Sequence, residues 1–351
     1  MYFASDNTAG IAAPILEAIS RANAGYALGY GNDECTKRVE KRFAEIFERE
    51  VAVFLVPTGT AANGLALAHL TPPWGAVLCH AESHVATDEC GAPEFFGGGI
   101  KLVGLAGEGS KISAATLRAS LDEGQWGGPH HVSASVLSLS QATESGTIYR
   151  VAELRELADI AHQRGLSVHI DGARIGNALA RMNVSPAEAT WKAGVDALSF
   201  GATKGGAMGV EAVIFFDPKR DANMPDRRKR GGALASKHRF IAAQMEAYLA
   251  DDLWLKLARH ANTMADALGA GLASAGSPPV WPVEANEVFA KLPAAADRRL
   301  KAAGATFYPW KSQSLPLGVS VGTDETLVRL VTSFQTTKDD VERFLATVRA
   351  E

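Results

Sequence analysis

The chain has 351 residues, 47% of them hydrophobic and 21% charged, with 34 glycines and a formal net charge of −4. That length suits one large domain plus a smaller one, and the balance is that of a globular α/β protein. A negative net charge excludes the global basic field of a nucleic-acid binder, and no apolar run reaches membrane-spanning length. Cys35, Cys79 and Cys90 lack metal-type spacing, and their odd number argues against a disulfide framework. The expectation is therefore a reducing, cytoplasmic setting with no metal site. Met1–Thr8 has neither a basic segment nor a long apolar one, so no signal peptide is predicted.

The N-terminal Ser5–Gly10 stretch is polar and turn-like. Ile15, Ile19 and Ala22 predict a helix over Pro14–Ala24. After a Gly/Tyr loop containing Tyr30, Val39, Phe43, Ile46 and Phe47 mark one face of a second helix, Thr36–Phe47. Val51–Val56 reads as a strand running into Pro57-Thr-Gly-Thr60 and a helix to about Leu70. Further strands are expected at Ala76–Cys79, Ile100–Leu105, Ala134–Leu139, Leu166–Ile170, Ala197–Phe200 and Ala212–Phe216. Helices are expected at Ser113–Leu121 and Val151–Arg164, the latter ending at Gly165. Strands alternating with helices over residues 50–216 predict βαβ units and a mostly parallel sheet. Asp217–Gly232 is polar and basic; its run Arg227-Arg-Lys-Arg230 reads as a solvated face or an interface patch. Two helices, Ser236–Tyr248 and Asp251–Ala275, precede a break at Gly276-Ser-Pro-Pro279. The tail carries expected strands at Glu287–Leu292, Leu317–Val321 and Leu327–Val331, and helices at Ala295–Ala303 and Lys338–Ala350. The division expected is a large domain at 1–248, with an N-terminal arm at 1–14, and a small α+β domain at 249–351.

Ligands bind in loops at the carboxyl ends of parallel strands. Thr58–Thr60, His84, Glu144, Asp171 and Lys204 all fall in such loops. Lys204 sits in a Gly-rich turn between two apolar strands, where a desolvated amine is nucleophilic. Asp171 ends the strand 33 positions upstream (171 to 204). An acid and a lysine so placed build a pyridoxal phosphate (PLP) site, with the lysine as Schiff base and the acid on the pyridinium nitrogen. Thr58, Gly59 and Thr60 at a helix start form an anion site, although Thr also caps helices without binding anything. His84 is placed to stack on the ring, with His80 as a competitor. Ser199 and Thr203 add hydroxyls, and Arg174 is placed for the ring, the phosphate or the substrate. Arg329, on an otherwise apolar strand, needs a partner such as a substrate carboxylate.

Several segments together resemble the L-threonine aldolase family of fold type I PLP enzymes. They are Ser5-Asp-Asn, Tyr30-Gly, Pro57-Thr-Gly-Thr, His84, Asp171-Gly-Ala-Arg174, Ser199-Phe-Gly-Ala-Thr-Lys-Gly-Gly-Ala-Met-Gly209, Leu234-Ala-Ser-Lys-His-Arg-Phe240 and Arg329-Leu-Val-Thr332. The resemblance implies an aspartate-aminotransferase-like α/β fold. It implies retro-aldol cleavage of L-β-hydroxy-α-amino acids to glycine and an aldehyde through a PLP quinonoid. Lys204, His84 and Glu144 become the catalytic candidates. Asp171, His84, Gly59, Thr60, Thr58, Arg174, Thr203 and Ser199 become cofactor contacts, and Ser5, Arg174, Arg329 and Tyr30 substrate contacts. A homotetramer or homodimer is implied, with the site at a subunit boundary that Tyr30, Arg230 and Lys237 reach from a neighbour. Where many family members carry a histidine near the substrate β-hydroxyl, this chain aligns Glu144, which suggests other substrates, including aryl ones such as phenylserine. The readings in competition are another fold type I reaction (β-elimination or transamination) and a non-catalytic PLP-binding protein.

Overall fold

The computed structural model describes residues 1–220 and 222–350. Seven strands form the main sheet: β1 (Ala52–Val56), β2 (Gly75–His80), β3 (Lys101–Leu105), β4 (Ser133–Ser140), β5 (Ser167–Gly172), β6 (Ala197–Gly201) and β7 (Glu211–Phe215). Their order is β1-β7-β6-β5-β4-β2-β3, and β7 alone runs against the rest. β2, β6 and β7 are buried along their whole length, as strands covered on both faces must be. This accounts for their continuous apolar character in the sequence.

Local chemistry fixes where the covering helices start. Asp33 caps the Glu34–Ile46 helix, its carboxylate accepting the Thr36 N–H at 2.9 Å. Thr58 caps the Gly59–Leu70 helix through the Ala61 N–H at 3.1 Å. In the Val151–Gln163 helix, Leu154, Leu157, Ala158 and Ala161 turn to the core at helical spacing. The Ile175–Met182 and Met224–Arg230 helices had no counterpart in the sequence reading.

A second sheet has three antiparallel strands in the order β8 (Glu287–Pro293), β10 (Glu325–Val331), β9 (Tyr308–Pro309). Its core joins Met264, Leu268, Leu272, Val288, Leu330 and Phe344 to Phe3 from the N-terminus. Phe3 donates its N–H to Thr306 and accepts from the Val331 N–H, each at 2.8 Å, so the first residues run beside this sheet. The Leu253–Ser274 helix bridges both cores, with Trp254 in the main one and Met264–Leu272 in the second. The strand expected at Leu317–Val321 is instead an irregular loop. Gly318 takes a left-handed φ of 82°, Val319 turns back onto the Pro316 carbonyl, and Leu317 is fully exposed. The third strand is the short Tyr308–Pro309 pairing. Among the described residues no helix is long and apolar enough to cross a membrane.

Candidate active site

β1, β2, β4, β5 and β6 point the same way, so their carboxyl ends open on one edge of the sheet. There they form a cleft of about 710 Å³ closed on its far side by Arg329 of β10 and by Trp310. Ser5, Thr58, Gly59, Thr60, His84, Glu144, Asp171, Arg174, Thr203, Lys204 and Arg329 all line it. The residues brought together come from positions 5 to 329, on both sheets and the N-terminal arm.

Lys204 follows β6 in a turn closed by Gly205 N–H to Ala202 and Gly206 N–H to Thr203. The turn is clamped on both sides. Glu211 at the start of β7 accepts the Ala202 N–H at 2.8 Å, and the Gln244 amide oxygen accepts the N–H groups of Met208 and Gly209 at 3.0 Å. Gly205 is required for packing, because a Cβ there would lie 1.9 Å from the Tyr248 hydroxyl. The bulky neighbour of this glycine turn is thus the protein's own tyrosine. Among the described residues no hydrogen bond or ion pair holds the Lys204 amine, while Glu211 lies close enough for Lys204 to lower its pKa. Burial dominates and lifts the Glu211 carboxyl to about 7.

Asp171 is buried and held by two donors, the Ala173 N–H at 3.0 Å and the Asn63 amide at 2.9 Å. The same Asn63 amide donates to Glu89 at 2.8 Å, and Glu89 in turn takes His84 Nδ1 at 2.9 Å. This fixes the His84 ring at the cleft. The hydrogen bond to Glu89 raises the His84 pKa, and burial raises that of Glu89. His84, Glu89 and Asp171 offer ligand-type atoms within 4.8 Å of one another; the His84–Glu89 hydrogen bond and the Asn63 amide shared by Glu89 and Asp171 account for the grouping. His80 faces elsewhere, bonding the Gly107 carbonyl and the Glu82 N–H.

Glu144 lines the same cleft, half-buried. Its Oε1 accepts the His84 N–H at 2.8 Å and the Ser140 hydroxyl at 2.7 Å, and its Oε2 has no partner. Burial lifts its carboxyl to about 7. Arg174 is committed inside the protein: Nε and Nη2 grip Asp6 at 2.8 and 3.0 Å, and Nη1 faces Glu287 at 3.3 Å. Asp6 stays below the usual carboxylate range because Arg174 and Lys204 outweigh its burial. Arg329 has no such carboxylate grip. Its Nη2 reaches only the Ala4 carbonyl at 3.4 Å, its Nε is unpartnered, and its guanidinium lies 4.5 Å over Trp310.

Two expected contacts sit elsewhere. Ser199 pairs in register with Asp171, but His169, two residues behind Asp171 on the same face, takes its hydroxyl at 2.9 Å. Ser199 therefore does not line the cleft. Tyr30 is half exposed on a left-handed residue, covered by Lys229 at 4.6 Å and tied to Ser236 through its backbone. It lies outside this chain's own cleft. Thr58 spends its hydroxyl on the helix cap, and Ser5 places its hydroxyl on the Asn7 N–H. Asp6, Asn63, Glu89, Glu211, Glu287 and Trp310 were missed. Of these, Glu211, a charge opening an apolar strand, Asn63, on the first turn after Pro57-Thr-Gly-Thr, and Asp6, inside the Ser5-Asp-Asn segment, left a sequence signal.

The donor set fits PLP. The Lys204 amine is unengaged, and Asp171 ends β5 with its carboxylate held by two donors at the cleft. Gly59 leaves open space at the start of a 12-residue helix whose first N–H groups lack helical acceptors. These features define a fold type I PLP enzyme.

Residues 2–295 match the beta-eliminating lyase family, and the chain belongs to that family. It is 44% identical over 307 residues, 87% of this chain and 88% of the relative, to the low specificity L-threonine aldolase of Pseudomonas aeruginosa. A second Pseudomonas low specificity L-threonine aldolase is 42% identical over the same shares of each chain. The solved structure of Leishmania major threonine aldolase is 29% identical with a TM-score of 0.91, covering 99% of this chain and 98% of that one. The fold is shared with Sphingomonas wittichii serine palmitoyltransferase, at a TM-score of 0.74 and 15% identity over 99% of this chain and 86% of that one.

Proposed function

We propose that this enzyme cleaves L-β-hydroxy-α-amino acids of the threonine, allo-threonine or phenylserine type into glycine and an aldehyde. The observation that carries the reading is an unpartnered, buried Glu144 Oε2 in the same cleft as an unpartnered Arg329 Nε, beside the lysine and acid of a PLP site. An arginine without an internal carboxylate suits a substrate carboxylate, and a carboxyl titrating near neutrality suits proton transfer.

When bound, PLP supplies an electron sink for the charge left at Cα. Lys204 would hold it covalently and Asp171 would keep its ring nitrogen protonated. His84, fixed by Glu89, would stack on the ring. Gly59 and Thr60 would meet the phosphate through the helix N-terminus, with Thr58 shaping that turn and Thr203 at its margin. Arg329, with Ser5 beside it, would hold and orient the substrate carboxylate. Arg174 acts indirectly, since Asp6 and Glu287 already hold it. Glu144 takes the β-hydroxyl proton on Oε2, the Cα–Cβ bond breaks as the aldehyde carbonyl forms, and a proton returned to Cα completes glycine.

The reading extends to a cytoplasmic homotetramer or homodimer in which Tyr30, Arg230 and Lys237 serve a neighbour's site, and to a large domain at 1–248 with a small one at 249–351. The test is a product assay with threonine, allo-threonine, phenylserine and serine. Glycine plus aldehyde is expected, and loss of both, together with loss of the cofactor's lysine-linked absorbance, in Lys204→Ala. Ammonia and a keto acid without glycine would overturn the assignment in favour of elimination or transamination.

A further inference from the structure

Glu82 lies between His80 and His84 in the loop that follows β2, and the chemistry described so far does not use it. Its carboxylate nevertheless gathers four donors. Oε2 accepts the hydroxyls of Ser312 at 2.9 Å, of Ser314, and of Ser110 at 3.5 Å; Oε1 accepts the Gln313 N–H. Three of these donors belong to the segment directly after Trp310. That segment has no regular structure, and beyond it Leu317 stands fully exposed. It is also met from the main sheet's side by the Gly109 N–H, which donates to the Ser314 carbonyl at 3.1 Å. Ser110 Oγ lies 2.7 Å from the hydroxyl of Ser145, the neighbour of Glu144. One carboxylate thus ties an irregular loop of the second sheet to the loops that carry His84 and Glu144.

Trp310 gives the tie its consequence. Its N–H is anchored on Leu327, and its ring lies 4.5 Å from the Arg329 guanidinium at the cleft wall. Arg329 has few other supports, as its long contact to Ala4 and its unpartnered Nε show. We propose that Glu82 is a positioning residue that latches residues 312–314, keeps Trp310 on Arg329, and thereby sets the enzyme's grip on the substrate carboxylate. The inference rests on the assignment of Arg329 to that carboxylate. A group that orients a binding arginine without touching the reacting atoms changes substrate affinity before it changes turnover.

The experiment compares Glu82→Ala, Trp310→Ala and the double variant as holoenzymes with threonine, alongside hydrogen exchange of the amides of residues 310–316. Glu82→Ala is expected to raise KM about tenfold, as loss of charge-assisted hydrogen bonds should. It should leave kcat within about twofold, leave the cofactor absorbance unchanged, and speed exchange in 310–316. Trp310→Ala should raise KM similarly, and the double variant should be no worse than the poorer single, because both act along one path. Glu82→Gln, which keeps an acceptor oxygen, should fall between wild type and Glu82→Ala. Wild-type KM with unchanged exchange in Glu82→Ala overturns the latch, as does a KM effect fully additive with Trp310→Ala. If Glu82→Ala does not fold, Ser312→Ala/Ser314→Ala removes the donors and must reproduce the KM rise and faster exchange. A wild-type enzyme that releases no glycine sinks the cleavage reading, and hydrogen exchange then still decides the latch.

Discussion

Glu144 sits at a balance point between two protonation states. Burial lifts its carboxyl to about 7, against the pull of the Ser140 hydroxyl and the His84 N–H. A base that must be ionised to accept the β-hydroxyl proton loses activity as pH falls through its pKa. The acid limb of kcat/KM should therefore lie near pH 7 in the wild type. Glu144→Gln should lower kcat by about 10²–10⁴, the usual contribution of general acid–base catalysis, and abolish that limb. Wild-type turnover with threonine and phenylserine in Glu144→Gln would remove Glu144 from the role and leave it as the acceptor that seats the His84 backbone. At this scale, the sequence located the residues whose chemistry sits directly after a strand, because strand ends can be read from one window of chain. It missed partners joined across long separations. Asp6 meets Arg174 from 168 positions away and Asn286 from 280. No local pattern encodes either contact.

The turn between β6 and β7 is the element on which Lys204 depends, and its shape comes from outside itself. Gln244 and Tyr248, one turn apart on the Arg239–Leu249 helix, hold its far side and close over Gly205. Gly205→Ala would push a methyl into the Tyr248 ring, which is buried and cannot swing away. Overpacking of this kind costs about 1–3 kcal/mol. The expected result is a lower thermal midpoint together with weaker cofactor loading, read as reduced lysine-linked absorbance at a fixed PLP concentration; full loading with wild-type stability would show that the contact is slack. The sequence showed a Gly-rich turn around Lys204, but not the tyrosine that packs against it. Elements with a strong period were legible to within a few residues, such as the Val151–Gln163 helix, whose one face packs on the core. The misreading at Leu317–Val321 has the opposite cause. Apolar residues there lie next to Pro316 and Gly318, and a turn needs no buried face to hold them.

Across the whole molecule, buried titratable groups pull stability in opposite directions with pH. Glu144 and Glu211 rest with pKa values raised from 4.5 to about 7, while the buried imidazoles of His169 and His238 fall from 6.5 to about 4. A raised carboxyl keeps its proton in the folded chain after the unfolded chain has released it. Its contribution is fully present below pH 4.5 and is lost as pH rises through about 7. A lowered imidazole does the reverse, since below pH 6.5 the unfolded chain binds the proton that the folded chain refuses. The two sets offset one another between about pH 5 and 6.5, so the intact protein should show a shallow dependence there. Glu211→Gln breaks the balance without emptying the site, because glutamine can still accept the Ala202 N–H through its amide oxygen. Relative to wild type, the variant should gain unfolding free energy by up to about 1.4 kcal/mol per pH unit from pH 5 to 7, with a constant difference above that. Urea unfolding at half-unit intervals measures that difference directly, with the common contributions of Glu144, His169 and His238 cancelling between the two proteins. A gap that does not change with pH would mean that Glu211 is ionised beside Lys204 throughout, and that the lysine, not burial, sets its charge.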